Sequence, residues 1–138
     1  MDNSQRILSE EAYRELYEKA LIARENAYAP FSGFKVGAAL LTEEGEIYTG
    51  VNIENSSYGA TICAERTAFV KAISEGHRKF KAMAITAGEE QEALPCGICR
   101  QFMYEFSPEM EIITGTDVNK LNVTTLEKLL PGGFRLDK

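Results

Sequence analysis

Cysteine occurs three times in this 138-residue chain, as Cys63 and as the Cys96-Gly97-Ile98-Cys99 pair. Each occurrence opens a helical pattern, over about 63–75 and about 96–106. A fold that uses the three sulfurs together must therefore bring two helix starts side by side. Three residues apart on a helix, Cys96 and Cys99 share one face, where both sulfurs can reach one ion. Helix N-termini carry partial positive charge, which lowers thiol pKa and favours the thiolate that binds metal. Three thiolates around Zn²⁺ leave one tetrahedral position open, the arrangement of a catalytic rather than a closed structural site.

The rest of the composition removes alternatives. His77 is the only histidine, so an H-E-x-x-H metalloprotease and a two-histidine zinc finger are excluded. It follows Gly76 at a helix end and is expected to be exposed and without a role. A formal net charge of −6 argues against a partner gripped by its phosphates, so no nucleic acid is expected. The first eight residues lack the basic start and apolar core of a secretory signal, and no run approaches a membrane span. An odd cysteine count without an export signal points to a reducing compartment, here the cytoplasm.

No repeat or linker divides the chain, so one domain over 1–138 is expected, with a flexible N-terminus at 1–8. Ser9 is a plausible N-cap, and Ala12, Leu16 and Ala20 recur with helical spacing up to about Asn26. Strands follow at 35–41 and 46–51, joined by a polar turn with Gly45, then a helix stopped by Gly76. A strand at 82–87 and an acidic loop at 88–93, read as solvated, lead to the helix that Pro95 opens. Short strands at 111–114 and 118–123 and a last helix at 124–130 complete the order α-β-β-α-β-α-β-β-α. That order suggests a mixed sheet with helices on its faces.

Taken alone, Pro95-Cys96-Gly97-Ile98-Cys99 suits a metal site and a thiol–disulfide motif equally. Cys63 with Glu65 shifts the balance. A ligand, one residue, a glutamate and a later P-C-x-x-C is the signature of zinc deaminases, here with cysteine in place of the usual histidine. In an ideal helix Glu65 points about 200° away from Cys63, too far to share the ion, but it can flank the open position as a proton carrier. Three thiolates and Zn²⁺ leave one net negative charge. Arg66 is a candidate to offset it by donating to a ligand sulfur.

The sequence resembles the small homotetrameric cytidine deaminases over almost its whole length, from Ser9 to Phe134. The matching motifs are Y-A-P-F-S-G-F-K-V-G-A-A-L (28–40), G-V-N-I-E-N-S-S-Y (50–58), C-A-E-R-T-A (63–68), P-C-G-I-C-R-Q (95–101) and L-L-P-G-G-F (129–134). The resemblance implies a three-layer α/β/α fold with a central mixed five-stranded sheet. It implies hydrolytic deamination of cytidine and deoxycytidine to uridine and deoxyuridine, with release of ammonia, in pyrimidine salvage. Cys63, Cys96 and Cys99 would hold one Zn²⁺ per chain. Hydroxide on that metal would attack C4 while Glu65 shuttles protons.

The same resemblance assigns the substrate-binding residues. Asn52 and Glu54 match the N-x-E pair that holds the ribose 3′-hydroxyl. Phe31 takes the pyrimidine-stacking position, and the Ala64 backbone N–H the donor to the base O2. Phe134 is similar to an aromatic that reaches into a neighbour's active site, and Tyr58 lies near the site or at an interface. The implied assembly is a homotetramer whose sites neighbouring subunits complete, with a small nucleoside as substrate. Rival readings are a blasticidin-type deaminase, a thiol redox protein with a Cys96–Cys99 bridge, and a non-catalytic zinc module.

Overall fold

Ser9 caps the first helix as the sequence suggests: it is extended, and its Oγ accepts from the Ala12 N–H at 3.1 Å. A computed structural model describes residues 6–136. Helix α1 (Glu10–Arg24) buries Tyr13, Leu16, Tyr17 and Ala20 against one face of a five-stranded sheet. The strands are β1 (Gly37–Thr42), β2 (Ile47–Val51), β3 (Phe80–Thr86), β4 (Glu111–Thr114) and β5 (Asn122–Thr125). Their spatial order is β2-β1-β3-β4-β5, with β3 and β4 parallel and every other pair antiparallel. Helices α2 (Ala64–Ser74), α3 (Gly97–Tyr104) and α4 (Leu126–Leu129) contribute to the core on the opposite face. The expected three-layer architecture around a mixed five-stranded sheet is therefore present.

Strand alternation sorts the core into two clusters. Ala38, Leu40, Met83, Ile85 and Ile112 face α2 and α3, where Phe69, Phe80, Phe102 and Phe106 pack. Ala39, Ala82, Ala84, Ile113 and Val123 face α1. Glycines on β1 and β2 let the helices approach closely. A Cβ on Gly37 would lie 2.1 Å from the Ala20 carbonyl oxygen, and one on Gly50 would lie 2.4 Å from that of Ala64. Edge strand β2 is tied to α2 by Thr67 Oγ1, which donates to the Val51 carbonyl at 3.0 Å, and by Lys71 Nζ, which donates to that of Thr49 at 2.5 Å.

Three regions differ from expectation. The last strand lies at Asn122–Thr125 rather than 118–123, and the last helix shrinks to Leu126–Leu129. Asp117 takes residues 117–120 into a turn, its Oδ1 accepting from the Asn119 N–H at 2.9 Å, and the β-branched pair Thr124-Thr125 extends β5. Of the expected flexible segment 1–8, residues 1–5 lie outside the described residues. Arg6–Leu8 is docked instead: Arg6 pairs with Glu10, the Ile7 N–H donates to Glu111, and the Leu8 N–H donates to Tyr13. His77 is not exposed. Its side chain is 12% exposed, clasped between Glu44 at 2.8 Å and Glu46 at 3.4 Å and packed on Tyr48. The hydrogen bond to Glu44 raises its pKa. Among the described residues no helix is long and apolar enough to cross a membrane.

The two close approaches can be tested by adding one methyl group. Gly37→Ala and Gly50→Ala force the added carbon into helix backbone, so each should cost about 3 kcal/mol or more in urea unfolding. Gly59→Ala, which meets nothing within 4 Å, should unfold with the wild-type midpoint.

Candidate metal centre and active site

Cys63 and Cys96 are the N-cap residues of α2 and α3, both extended and neither making a side-chain capping bond. Cys99 follows on the first turn of α3. The three Sγ atoms lie within 4.8 Å of one another, and Cys63 Sγ is 3.6 Å from Cys96 Sγ. Around a tetrahedral ion with Zn–S bonds of about 2.3 Å, neighbouring sulfurs sit about 3.8 Å apart, so the donor set fits zinc. The protonation pattern agrees. Hydrogen bonding to Cys99, with help from Cys96 and Arg66, lowers the Cys63 thiol to about 5. Its hydrogen bond to Cys63 and its burial push the Cys99 thiol up. Sulfurs this close cannot all ionise without a cation among them, and a divalent metal supplies it.

Glu65 stands on the first turn of α2 and is only 5% exposed. Burial raises its pKa, against the lowering effect of its own N–H and the Cys96 N–H. It shares a cavity of about 240 Å³ with Cys63, Cys96, Phe34, Val36, Ile85 and the loop residues Gln91, Glu92, Ala93 and Leu94. Arg66 Nη2 lies 3.9 Å from Cys63 Sγ and donates to the Thr61 carbonyl at 3.3 Å, where the sequence places a donor to a ligand sulfur.

A second cavity, of about 410 Å³, is lined by Phe31, Ser32, Glu54, Asn55, Tyr58 and Thr61. Segment 31–36 contributes to both cavities, and Asn52 and Glu54 hold it in place. Glu54 Oε1 accepts from the N–H groups of Phe31 at 2.9 Å and Ser32 at 3.1 Å, and Oε2 accepts from the Ser32 hydroxyl. Those bonds lower the Glu54 pKa, the Ser32 hydroxyl first among them. Asn52 Oδ1 accepts from the Val36 N–H at 2.9 Å and Nδ2 donates to the Phe34 carbonyl at 2.8 Å.

This geometry meets known proteins over most of the chain. The family model described as the cytidine and deoxycytidylate deaminase zinc-binding region matches residues 10–116, which include all three cysteines. This chain belongs to that family. A cytidine deaminase of Sporosarcina psychrophila is 54% identical over 113 residues, covering 81% of this chain and 83% of the relative. One from Halalkalibacterium halodurans is 48% identical over 120 residues, covering 86% and 91%. The crystal structure of cytidine deaminase from Burkholderia pseudomallei superposes with a TM-score of 0.83 at 43% identity, covering 92% of this chain and 100% of that one.

Within the family's site, the aromatic placement departs from expectation. Phe31 does not line the cavity of Cys63 and Glu65; it stands in the neighbouring one, its ring 6.3 Å from that of Tyr58. Phe34 faces the cysteines instead. Both lie in the F-S-G-F stretch, and residue spacing alone does not choose between them. Ala64 is buried at the start of α2, where first-turn N–H groups have no partner within the helix. Phe134 is 63% exposed on the C-terminal segment, its carbonyl held by Gln101 Nε2 at 2.9 Å. The acidic loop is more than a solvated stretch. Glu92 Oε2 accepts from Thr114 Oγ1 at 2.5 Å and Asn122 Nδ2 at 2.7 Å, fastening the cavity wall to the β4–β5 ladder. No local pattern reveals Glu92, because both partners are distant in sequence.

Asn52 is structural in this geometry whatever else it touches. Asn52→Ala strips partners from the Val36 N–H and the Phe34 carbonyl and should destabilise the chain by about 1–2 kcal/mol in urea unfolding.

Proposed function

We propose that the chain hydrolyses cytidine and deoxycytidine to uridine and deoxyuridine, releasing ammonia, with one Zn²⁺ held by Cys63, Cys96 and Cys99. The observation that carries this reading is one small cavity lined by Cys63, Cys96 and a buried glutamate, with the Cys99 sulfur close by. When bound, zinc supplies the Lewis acidity that makes water a nucleophile at neutral pH. Glu65 would take one proton from the attacking water and deliver it to N3 of the ring. It would then take the second proton from the oxygen added at C4 and pass it to the departing amine, leaving the C4 carbonyl and ammonia. Its burial suits this work, since a carboxyl with a raised pKa holds a proton between steps more readily than one in water. Arg66 offsets the excess negative charge of three thiolates.

Phe34 is the ring best placed to stack on the pyrimidine, and the Ala64 N–H is a donor for the base O2. Asn52 and Glu54 take the ribose, Glu54 exchanging its Ser32 hydroxyl for a sugar hydroxyl. A nucleoside is favoured over a nucleotide. Among the described residues lining the two cavities none is Lys or Arg, whereas Glu54, Glu65 and Glu92 are present, so a phosphate dianion would meet only like charge.

Tetramer assembly, with Phe134 entering a neighbour's site, is supported by aromatic rings left open: Phe31, Tyr58 and Phe134 are 54%, 79% and 63% exposed. Phe31 and Tyr58 stand together in one cavity, and contiguous exposed apolar surface marks interaction sites. One sheet with a core cluster on each face supports a single domain, and free thiols support a reducing, cytoplasmic setting.

Absorbance loss on cytidine, deoxycytidine, deoxycytidylate, free cytosine and blasticidin S tests the substrate. The first two should react fastest, and preference for any of the others would refute the nucleoside reading. Glu65→Gln should keep the zinc and the thermal midpoint while turnover falls at least about 100-fold. Wild-type turnover in that variant would remove Glu65 from the mechanism.

A further inference from the structure

Of the three cysteines, Cys96 has the least support of its own. Cys99 is buried within α3, and Cys63 has Arg66 at its sulfur and Thr67 at its carbonyl. Cys96 is exposed, caps a helix without a side-chain bond, and ends the loop that Glu92 fastens to the β4–β5 ladder. Yet both of its flanking peptides are held, the one before it by a side chain and the one after it by the first backbone bond of α3. Arg100 Nε donates to the Pro95 carbonyl at 2.8 Å, fixing the peptide that carries the Cys96 N–H. The Arg100 backbone N–H donates to the Cys96 carbonyl at 2.9 Å, fixing the peptide on the other side.

The guanidinium is itself anchored. Arg100 Nη1 donates to the Leu129 carbonyl at 2.9 Å, at the end of α4. Helix α4 is pinned independently by the Leu126 N–H on the Met110 carbonyl at 2.9 Å and the Glu127 N–H on that of Pro108 at 2.8 Å. A planar fork can bridge two carbonyls in one fixed orientation, which a lysine ammonium on its flexible stem cannot do. We infer that Arg100 is a positioning residue: its guanidinium ties the Pro95–Cys96 peptide to α4 and so sets where that sulfur meets the metal. The inference rests on the reading of Cys96 as a ligand.

The test follows zinc leaving the loaded wild-type protein into excess chelator, read with a chromogenic indicator. Arg100→Ala should weaken zinc retention about 10–100-fold, the range found when groups that orient a ligand are removed. Arg100→Lys, which keeps the charge and loses the bridge, should fall between and carries the test if the alanine variant does not fold. Gln101→Ala, which cuts only the neighbouring bond to Phe134, should release zinc at the wild-type rate. With cobalt(II) in place of zinc, the visible absorption band of Arg100→Lys should shift from that of wild type. A lowered melting temperature with unchanged zinc release and an unchanged cobalt band would overturn the proposal, leaving Arg100 a stabilising residue only. Wild-type protein that holds no zinc would overturn the metal reading itself, and this inference with it.

Discussion

Two helix N-termini meeting beside one cavity are the constraint on which the rest of the structure depends. The sheet order produces that meeting. Helix α2 follows edge strand β2, and α3 crosses between the parallel strands β3 and β4, so both pack on the same face. Their starts then lie near the carboxyl end of β3, where Ile85 lines the cavity. Such ends are where open α/β sheets commonly bind ligands. The partial positive charge of both helix starts falls on the group of sulfurs that needs it most.

The close contacts elsewhere serve this placement. Gly50 lets α2 lie against β2, and Thr67 and Lys71 fasten it there. Glu54 and Asn52, on the segment that follows β2, hold residues 31–36 across both cavities. Glu92 and Arg100 secure the other wall, one to the β4–β5 ladder and one to α4. The cavity is thus bounded by segments far apart in the chain, each fixed by a side chain reaching from a different element.

The local part of this was readable in the residues. Cysteine spacing, helix starts and the glutamate beside Cys63 are short-range signals, and the family motifs marked Asn52 and Glu54. The α1 cap at Ser9 was equally plain, because capping chemistry is local. What could not be read depends on three-dimensional neighbours. Nothing in F-S-G-F says which ring turns toward the sulfurs. His77 reads as an exposed helix end until the hairpin folds two glutamates over it. The last strand moved because the turn chemistry of Asp117 and the β-branched Thr124-Thr125 pair outweighed a short apolar pattern.

The chemistry follows from the same convergence. Three sulfurs held this close need a cation, and Glu65, buried beside them, keeps its proton more readily than a carboxyl in water. The alternative use of the same cysteines is a redox pair, and the two uses exclude each other. The most direct measurement is therefore the zinc content and free-thiol state of protein purified without chelator. The account predicts one zinc per chain and no Cys96–Cys99 disulfide. Metal-free protein with those two cysteines bridged would contradict it.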